Sequence, residues 1–253
     1  MCGRYALART RGQLQMEFGA EWAVPEELTP DYNVAPTKRV YAVLERRVAP
    51  GAPPRRELRD LRWGLVPSWS KDSGGAAKMI NARLESVAEK PAFRGALARR
   101  RCLVPVDGYY EWLVEGADRP RSQQRRHPYH VSFRGGRPLA LAGLYELWRD
   151  PVRPDGDPDA WWRTCAIITT EANPEIRGIH HRMPMPVAPS VWDRWLDPAL
   201  TDTDEVLGLL RPPPEGSLAA HRVGDAVNSV RNNDPSLLRP HQPEPEPEEA
   251  QLF

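Results

Sequence analysis

Apolar positions in this chain cluster in short runs, and few of them recur with a helical period. Residues 40–44, 102–106, 139–144 and 164–169 are β-branched or otherwise apolar and are bounded by turn residues, which predicts strands. Helical patterning is rarer. Residues 91–101 carry Phe93 and Leu97 and end in arginines, as the negative end of a helix dipole favours. Residues 191–210 predict one or two short helices broken at Pro198. Proline, with 28 residues, marks the loops, and 49–57, 115–128 and 149–159 read as exposed connections. Strands and helices do not alternate, which argues against a parallel doubly wound sheet. The expectation is a single α+β domain, rich in strands, over 1–237. Residues 238–253 should be a disordered Pro/Glu-rich tail. There is no internal repeat.

Composition narrows the class. About 40% of the 253 residues are hydrophobic and 27% charged, as in soluble globular proteins. No apolar run approaches the roughly 20 residues of a membrane span, and the N-terminus lacks the apolar stretch of a secretory signal. A cytoplasmic, nucleoid-associated protein is expected. Cys2, Cys102 and Cys165 are too scattered for a disulfide framework, which implies a reducing compartment. The net charge is +1, but Glu244, Glu246, Glu248 and Glu249 lie in the tail, and without them residues 1–240 carry +5. That is only mildly basic for a nucleic-acid binder. The clusters Arg99 to Arg101 and Arg125-Arg126 read as solvated surface charge.

Five segments carry candidate chemistry. Removal of Met1 would leave Cys2 with a thiol and an α-amine on adjacent carbons. A free α-amine has a pKa of about 7.7–8, so part of it is neutral at pH 7 and can condense with an aldehyde. The thiol can then close a five-membered thiazolidine intramolecularly. Trp63 and Trp69 flank a Gly and a Pro (RWGLVPSW), where one tryptophan suits the core and the other a loop that stacks on unpaired bases. Asn81 and Arg83 share one face of a strand and could orient a hydroxyl and a phosphate, or serve only as a turn amide and a surface cation. Glu111 lies among aromatics in DGYYEW, where desolvation would raise its pKa into the range of a general acid or base, unless an arginine pairs with it. His180-His181-Arg182-Met183-Pro184 reads as an ordered loop. The pairs His180/His181 and His127/His130 have no accompanying C-x-x-C, so no metal or cofactor is expected.

In order along the chain, MCGRYAL, YNVAPT (32–37), RWGLVPSW (62–69), INAR (80–83) and RCLVPVDGYYEW (101–112) resemble the SRAP family, the SOS response-associated peptidase-like proteins that shield abasic sites. AGLYELW (142–148), IITTEAN (167–173), IHHRMP (179–184) and AVNSVRNN (226–233) continue the match. The resemblance implies a β-rich domain with a groove for single-stranded DNA or a single-strand/double-strand junction; a monomer is expected. It places Cys2 at the residue that crosslinks to the abasic aldehyde, and Asn81, Glu111 and His180 at active-site positions. Arg4, Arg83 and Arg182 fall on phosphate-contacting or site-ordering positions, and Trp69 on an aromatic that contacts bases beside the lesion. This chain departs from the pattern at Ser70, where some members have a second tryptophan, and at His181, where many have an acidic residue. The resemblance also implies a limited peptidase step that removes the residue before Cys2. Lyase activity by β-elimination is a further expectation. Two other classes stay open: an N-terminal-nucleophile peptidase and a non-covalent reader of modified DNA bases. Gln251 to Phe253 read either as the end of an inert tail or as a short docking peptide for a replication or repair protein.

Overall fold

A computed structural model describes residues 2–23, 26–47, 49 and 51–242. Met1 and, of the tail expected over 238–253, residues 243–253 therefore fall outside the described residues; within 238–242, Pro240 bridges Val223 and the His241 N–H donates to Arg222 O at 2.8 Å. The first strands are β1 (Tyr5–Leu7), β2 (Glu21–Trp22), β3 (Asp31–Val34), β4 (Arg39–Arg46), β5 (Arg55–Trp63) and β6 (Asn81–Arg83). There follow β7 (Arg101–Val106), β8 (Gly108–Glu115), β9 (Arg125–Phe133), β10 (Leu139–Arg149), β11 (Trp161–Glu171), β12 (Arg182–Pro184) and β13 (Leu218–Arg222). The helices are short: α1 (Arg11–Phe18), α2 (Pro91–Arg99), α3 (Pro174–Arg177), α4 (Trp192–Leu196) and α5 (Thr203–Gly208). Among the described residues no helix is long and apolar enough to cross a membrane.

Two sheets form. One runs β13-β9-β8-β1-β3; the other runs β12-β11-β10-β7-β4-β5-β2, with β6 on β11. A parallel contact, Thr164 with Arg62 and Cys165 with Trp63, joins β5 back to β11 and closes five strands into a barrel. β11 is long enough to serve two purposes. Its first half completes the barrel. Its second half carries β6 on one edge (Ile167 with Asn81, Thr169 with Arg83) and β12 on the other (Glu171 with Arg182). The four expected strand cores lie inside β4, β7, β10 and β11, and the hairpin β10–β11 extends well beyond its apolar centre because backbone pairing continues from Gly143–Ile167 out to Arg149–Trp161. The core is continuous across the barrel, from Leu14 and Phe18 to Trp195 and Val206.

Three expectations need correction. The helix over 91–101 starts at Pro91, a favoured first position, but stops at Arg99, and Arg101 opens β7. Arg101 is buried. Its guanidinium donates to the carbonyls of Leu97 and Ala98 in the last turn of α2, and to those of Trp195, Asp197 and Leu200. It ties α2 and α4 to the barrel and is no part of a solvated cluster. The connections expected over 49–57 and 115–128 are shorter, because β5 begins at Arg55 and β9 at Arg125. The two predicted helices after residue 191 are α4 and α5, with Pro198 between them.

Gly64 turns the chain from the barrel into the loop before β6. It has φ +131, and a methyl group there would lie 2.7 Å from the Ala76 carbonyl oxygen. Gly64→Ala is therefore expected to destabilise the fold by about 1–3 kcal/mol, read as a lowered denaturation midpoint at unchanged m-value. An unaltered midpoint would show that this turn can relax.

Candidate active site around Cys2

The N-terminal segment enters the molecule along β8. Antiparallel register pairs Tyr5 with Tyr109, and the Tyr110 N–H donates to Arg4 O at 2.9 Å, so residues 2–4 run beside 110–112. Cys2 is fully buried. Its carbonyl oxygen accepts a 2.7 Å hydrogen bond from Asn81 Nδ2, and its sulfur lies 4.0 Å from Arg4 O. Burial first, then the nearby Glu111 carboxylate, hold the thiol well above its ordinary pKa. The sulfur is thus a thiol at neutral pH, a poor nucleophile unless a neighbour removes its proton.

Asn81 is held by β6 on β11, and the loop before it is pinned at its base. Leu65 N–H donates to Met79 O at 3.0 Å, and the Trp63 indole donates to Ile80 O at 3.0 Å. Trp63 is completely buried, whereas Trp69 is 67% exposed at the loop's outer turn. The two tryptophans of the motif divide into core and surface as their sequence context suggested. Asn81 Oδ1 is buried and finds no hydrogen-bond partner among the described residues.

Glu111 sits on β8 on the same face as Tyr109, two residues away. It is only 3% exposed, and burial raises its pKa to about 7. The cause is desolvation, as the aromatic context led us to expect. Such a carboxyl is split between acid and base forms at neutral pH.

His180 lies on the turn between α3 and β12, at the same end of β11 as Asn81. Its Nδ1 faces the main chain of Arg182, 3.0 Å from the N–H nitrogen and 3.1 Å from the carbonyl oxygen, which fixes the orientation of the ring. Burial lowers its pKa. His181 stacks on it with ring centres 4.5 Å apart and is itself exposed. The departure at position 181 therefore places an aromatic plate, not a carboxylate, against the His180 ring. His127, in the other loose pair, bonds Glu115 at 3.0 Å, and His130 is buried against Tyr110 and His221.

The arginines divide. Arg182 is buried and makes a two-pronged contact with Glu85 at 2.7 and 3.0 Å, with a further bond to Thr169 O. That is an ordering role. Arg83 is exposed on β6. Arg4 donates to Asn33 Oδ1 at 2.7 Å and Val227 O at 2.9 Å, and stacks 5.8 Å over Trp112.

Some structural contributors carried no role in the sequence reading. Asn33 is fully buried and donates to the carbonyls of Val227, Ser229 and Asn232, which fastens the C-terminal loop to Arg4. The Trp112 indole bonds Asn228 at 2.7 Å. All of these positions except Glu85 stand within the motifs quoted above; the signal was an amide inside each polar motif, without anything to say which distant backbone it bonds.

A family model described as SOS response associated peptidase (SRAP) matches residues 1–230. The chain is 37% identical over 242 residues to the abasic site processing protein YoqW of Bacillus subtilis, covering 95% of this chain and all of that one. It is 33% identical to the abasic site processing protein HMCES of Gallus gallus, covering 95% of this chain and 78% of that one. A crystal structure of a protein from Bacteroides thetaiotaomicron superposes with a TM-score of 0.79 at 26% identity, covering 95% of this chain and all of that one. With the family model spanning most of its length and its barrel matched in a solved structure, the chain belongs to the SRAP family.

Proposed function

We propose that the protein processes abasic sites in DNA, and that it does so by a covalent bond through Cys2. The relatives' names support the first part. The observation that carries the second is the gathering of three groups at one buried end of the chain: a Cys2 whose carbonyl is held by Asn81, and a Glu111 tuned to about pH 7 beside the Cys2 thiol.

An abasic deoxyribose is mostly a closed hemiacetal. Glu111 protonates the ring oxygen and takes the C1′ hydroxyl proton in return, which opens the ring and exposes the C1′ aldehyde. The α-amine of Cys2, freed by loss of Met1, adds to C1′, and water leaves as the imine forms. The thiol proton passes to Glu111 or to the imine nitrogen while sulfur bonds to C1′, which closes the thiazolidine. One water is lost overall. A raised thiol pKa fits this order, because the amine attacks first and sulfur needs to ionise only at closure. Asn81 fixes the backbone of the nucleophile. His180 assists proton transfer or donates to the 3′ phosphate. Loss of that phosphate from the imine by β-elimination gives a lyase side reaction.

The substrate strand is single-stranded beside the lesion. Arg83 supplies an open cation for its phosphates, Trp69 stacks on a neighbouring base, and Arg4 and Arg182 order the site through Asn33 and Glu85. Trp69→Ala is expected to weaken binding to abasic single strands by about 1–3 kcal/mol, roughly 5- to 150-fold, measured by fluorescence anisotropy at fixed salt. An unchanged Kd would remove Trp69 from the interface. The reading as a whole is tested on a denaturing gel with an abasic single-stranded oligonucleotide. A heat-stable shifted band is expected, and its absence would overturn the covalent assignment.

The family's description as a peptidase favours a second, subordinate reading, in which the Cys2 thiol attacks the carbonyl before it and removes Met1. Sustained cleavage of other peptides without DNA would promote this reading to the main one. Binding to intact modified duplex without any crosslink would instead favour a non-covalent reader.

A further inference from the structure

An apolar pocket of about 330 Å3 opens beside the start of β13. Phe133, Leu139, Val187 and Trp192 form its floor, and the run Pro212–Pro214 forms one wall. Arg137 and Arg211 stand on its rim. Arg137 already pairs with Glu17 at 3.1 Å, but among the described residues Arg211 reaches only the neighbouring carbonyl of Leu210, so the rim keeps an excess of positive charge. None of these residues belongs to the Cys2 site. An apolar cleft with a cationic rim suits a peptide that carries large apolar side chains next to carboxylates.

Residues 243–253 have that chemistry. The segment reads Pro-Glu-Pro-Glu-Pro-Glu-Glu-Ala-Gln-Leu-Phe, with Leu252 and Phe253 a few residues after Glu248 and Glu249. The end of the described chain also lies within reach. β13 begins next to the pocket, since Leu218 pairs with Phe133 and Ser217 N–H donates to Pro214 O. At the other end of the same strand, His241 N–H donates to Arg222 O at 2.8 Å, and Val223 bridges Pro240. The two points are therefore one five-residue strand apart, roughly 15 Å at about 3.3 Å per residue. Eleven residues of a Pro/Glu alternation, extended at about 3.1 Å each, span roughly 34 Å.

We propose that this pocket receives the chain's own residues 243–253, with Leu252 and Phe253 in the apolar floor and Glu248 and Glu249 against Arg211 and Arg137. The inference is independent of the chemistry at Cys2.

The test replaces Phe253 by the photocrosslinking residue benzoylphenylalanine in the full-length protein. After irradiation and proteolysis, mass spectrometry should find crosslinks to Trp192, Val187 or Pro212–Pro214. They should occur at monomer mass and with a yield independent of protein concentration. The exposed rim variant Arg211→Glu should lower that yield by about fivefold, with the circular dichroism spectrum unchanged. Adding Glu248→Arg and Glu249→Arg should recover it. Crosslinks elsewhere, no crosslinks, or crosslinks only at dimer mass would overturn the proposal. Insensitivity to the charge reversal would also overturn it.

Discussion

Cys2→Ala is expected to remove the heat-stable DNA adduct entirely, while leaving an adduct that only a reducing agent can trap. The variant keeps its α-amine once Met1 is gone, so it still forms the imine with the open-chain aldehyde. It lacks the sulfur that closes the ring. Ring closure draws on the effective concentration of a tethered thiol, which reaches 10⁵ M or more in well-oriented systems, so its loss should drop stable product by at least about 100-fold. Borohydride should still capture the imine of the variant, and strand cleavage by β-elimination should rise because the imine now persists. A retained Met1 would block both adducts. A stable band from Cys2→Ala would show that another residue carries the bond.

Glu111→Gln should slow adduct formation by about 10²–10⁴-fold, the usual contribution of a positioned general acid or base. The pH profile separates this role from a structural one. In the wild type the rate needs Glu111 protonated and the α-amine neutral. Activity should therefore fall above the Glu111 pKa of about 7 and fall again as acid protonates the amine, whose free value is about 7.7–8. The glutamine variant should lose the alkaline fall and keep the acidic one. Stability should move the opposite way. Glu111 holds its proton more tightly in the folded chain than in the unfolded chain, so its ionisation costs stability between about pH 4.3 and 7 and the full cost is present above 7. Glu111→Gln should accordingly melt higher than wild type at pH 8, with the gap closing toward pH 5. A rate and profile equal to wild type would take Glu111 out of the scheme.

Local patterning carried the strands and the short helices, because each depends on a few consecutive residues. β4, β7, β10 and β11 were visible as apolar runs, and Pro91 and Pro198 marked a helix start and a break. What the pattern missed depends on long-range contacts. Arg101 looked like the end of a surface cluster, but five backbone carbonyls from α2, α4 and the loop after it surround it. Asn33 had no visible partner in its motif, since the carbonyls it bonds lie almost 200 residues away. At the site, the aromatic setting of Glu111 was enough to anticipate its shifted pKa. The 2.7 Å bond from Asn81 to the Cys2 carbonyl was not readable, because it requires β6 to dock on β11 and the N-terminus to run along β8. The resemblance named the residues, and the geometry adds the bond between Asn81 and Cys2 and the closeness of Glu111 to the thiol.

Intact-mass spectrometry of the full-length protein, before and after incubation with an abasic single-stranded oligonucleotide, tests the covalent reading most directly. The account predicts a starting mass without Met1, then a new species equal to that mass plus the oligonucleotide less one water, stable to heat and absent from Cys2→Ala. A protein that lacks Met1 and gains no mass, or an adduct that survives Cys2→Ala, would contradict it.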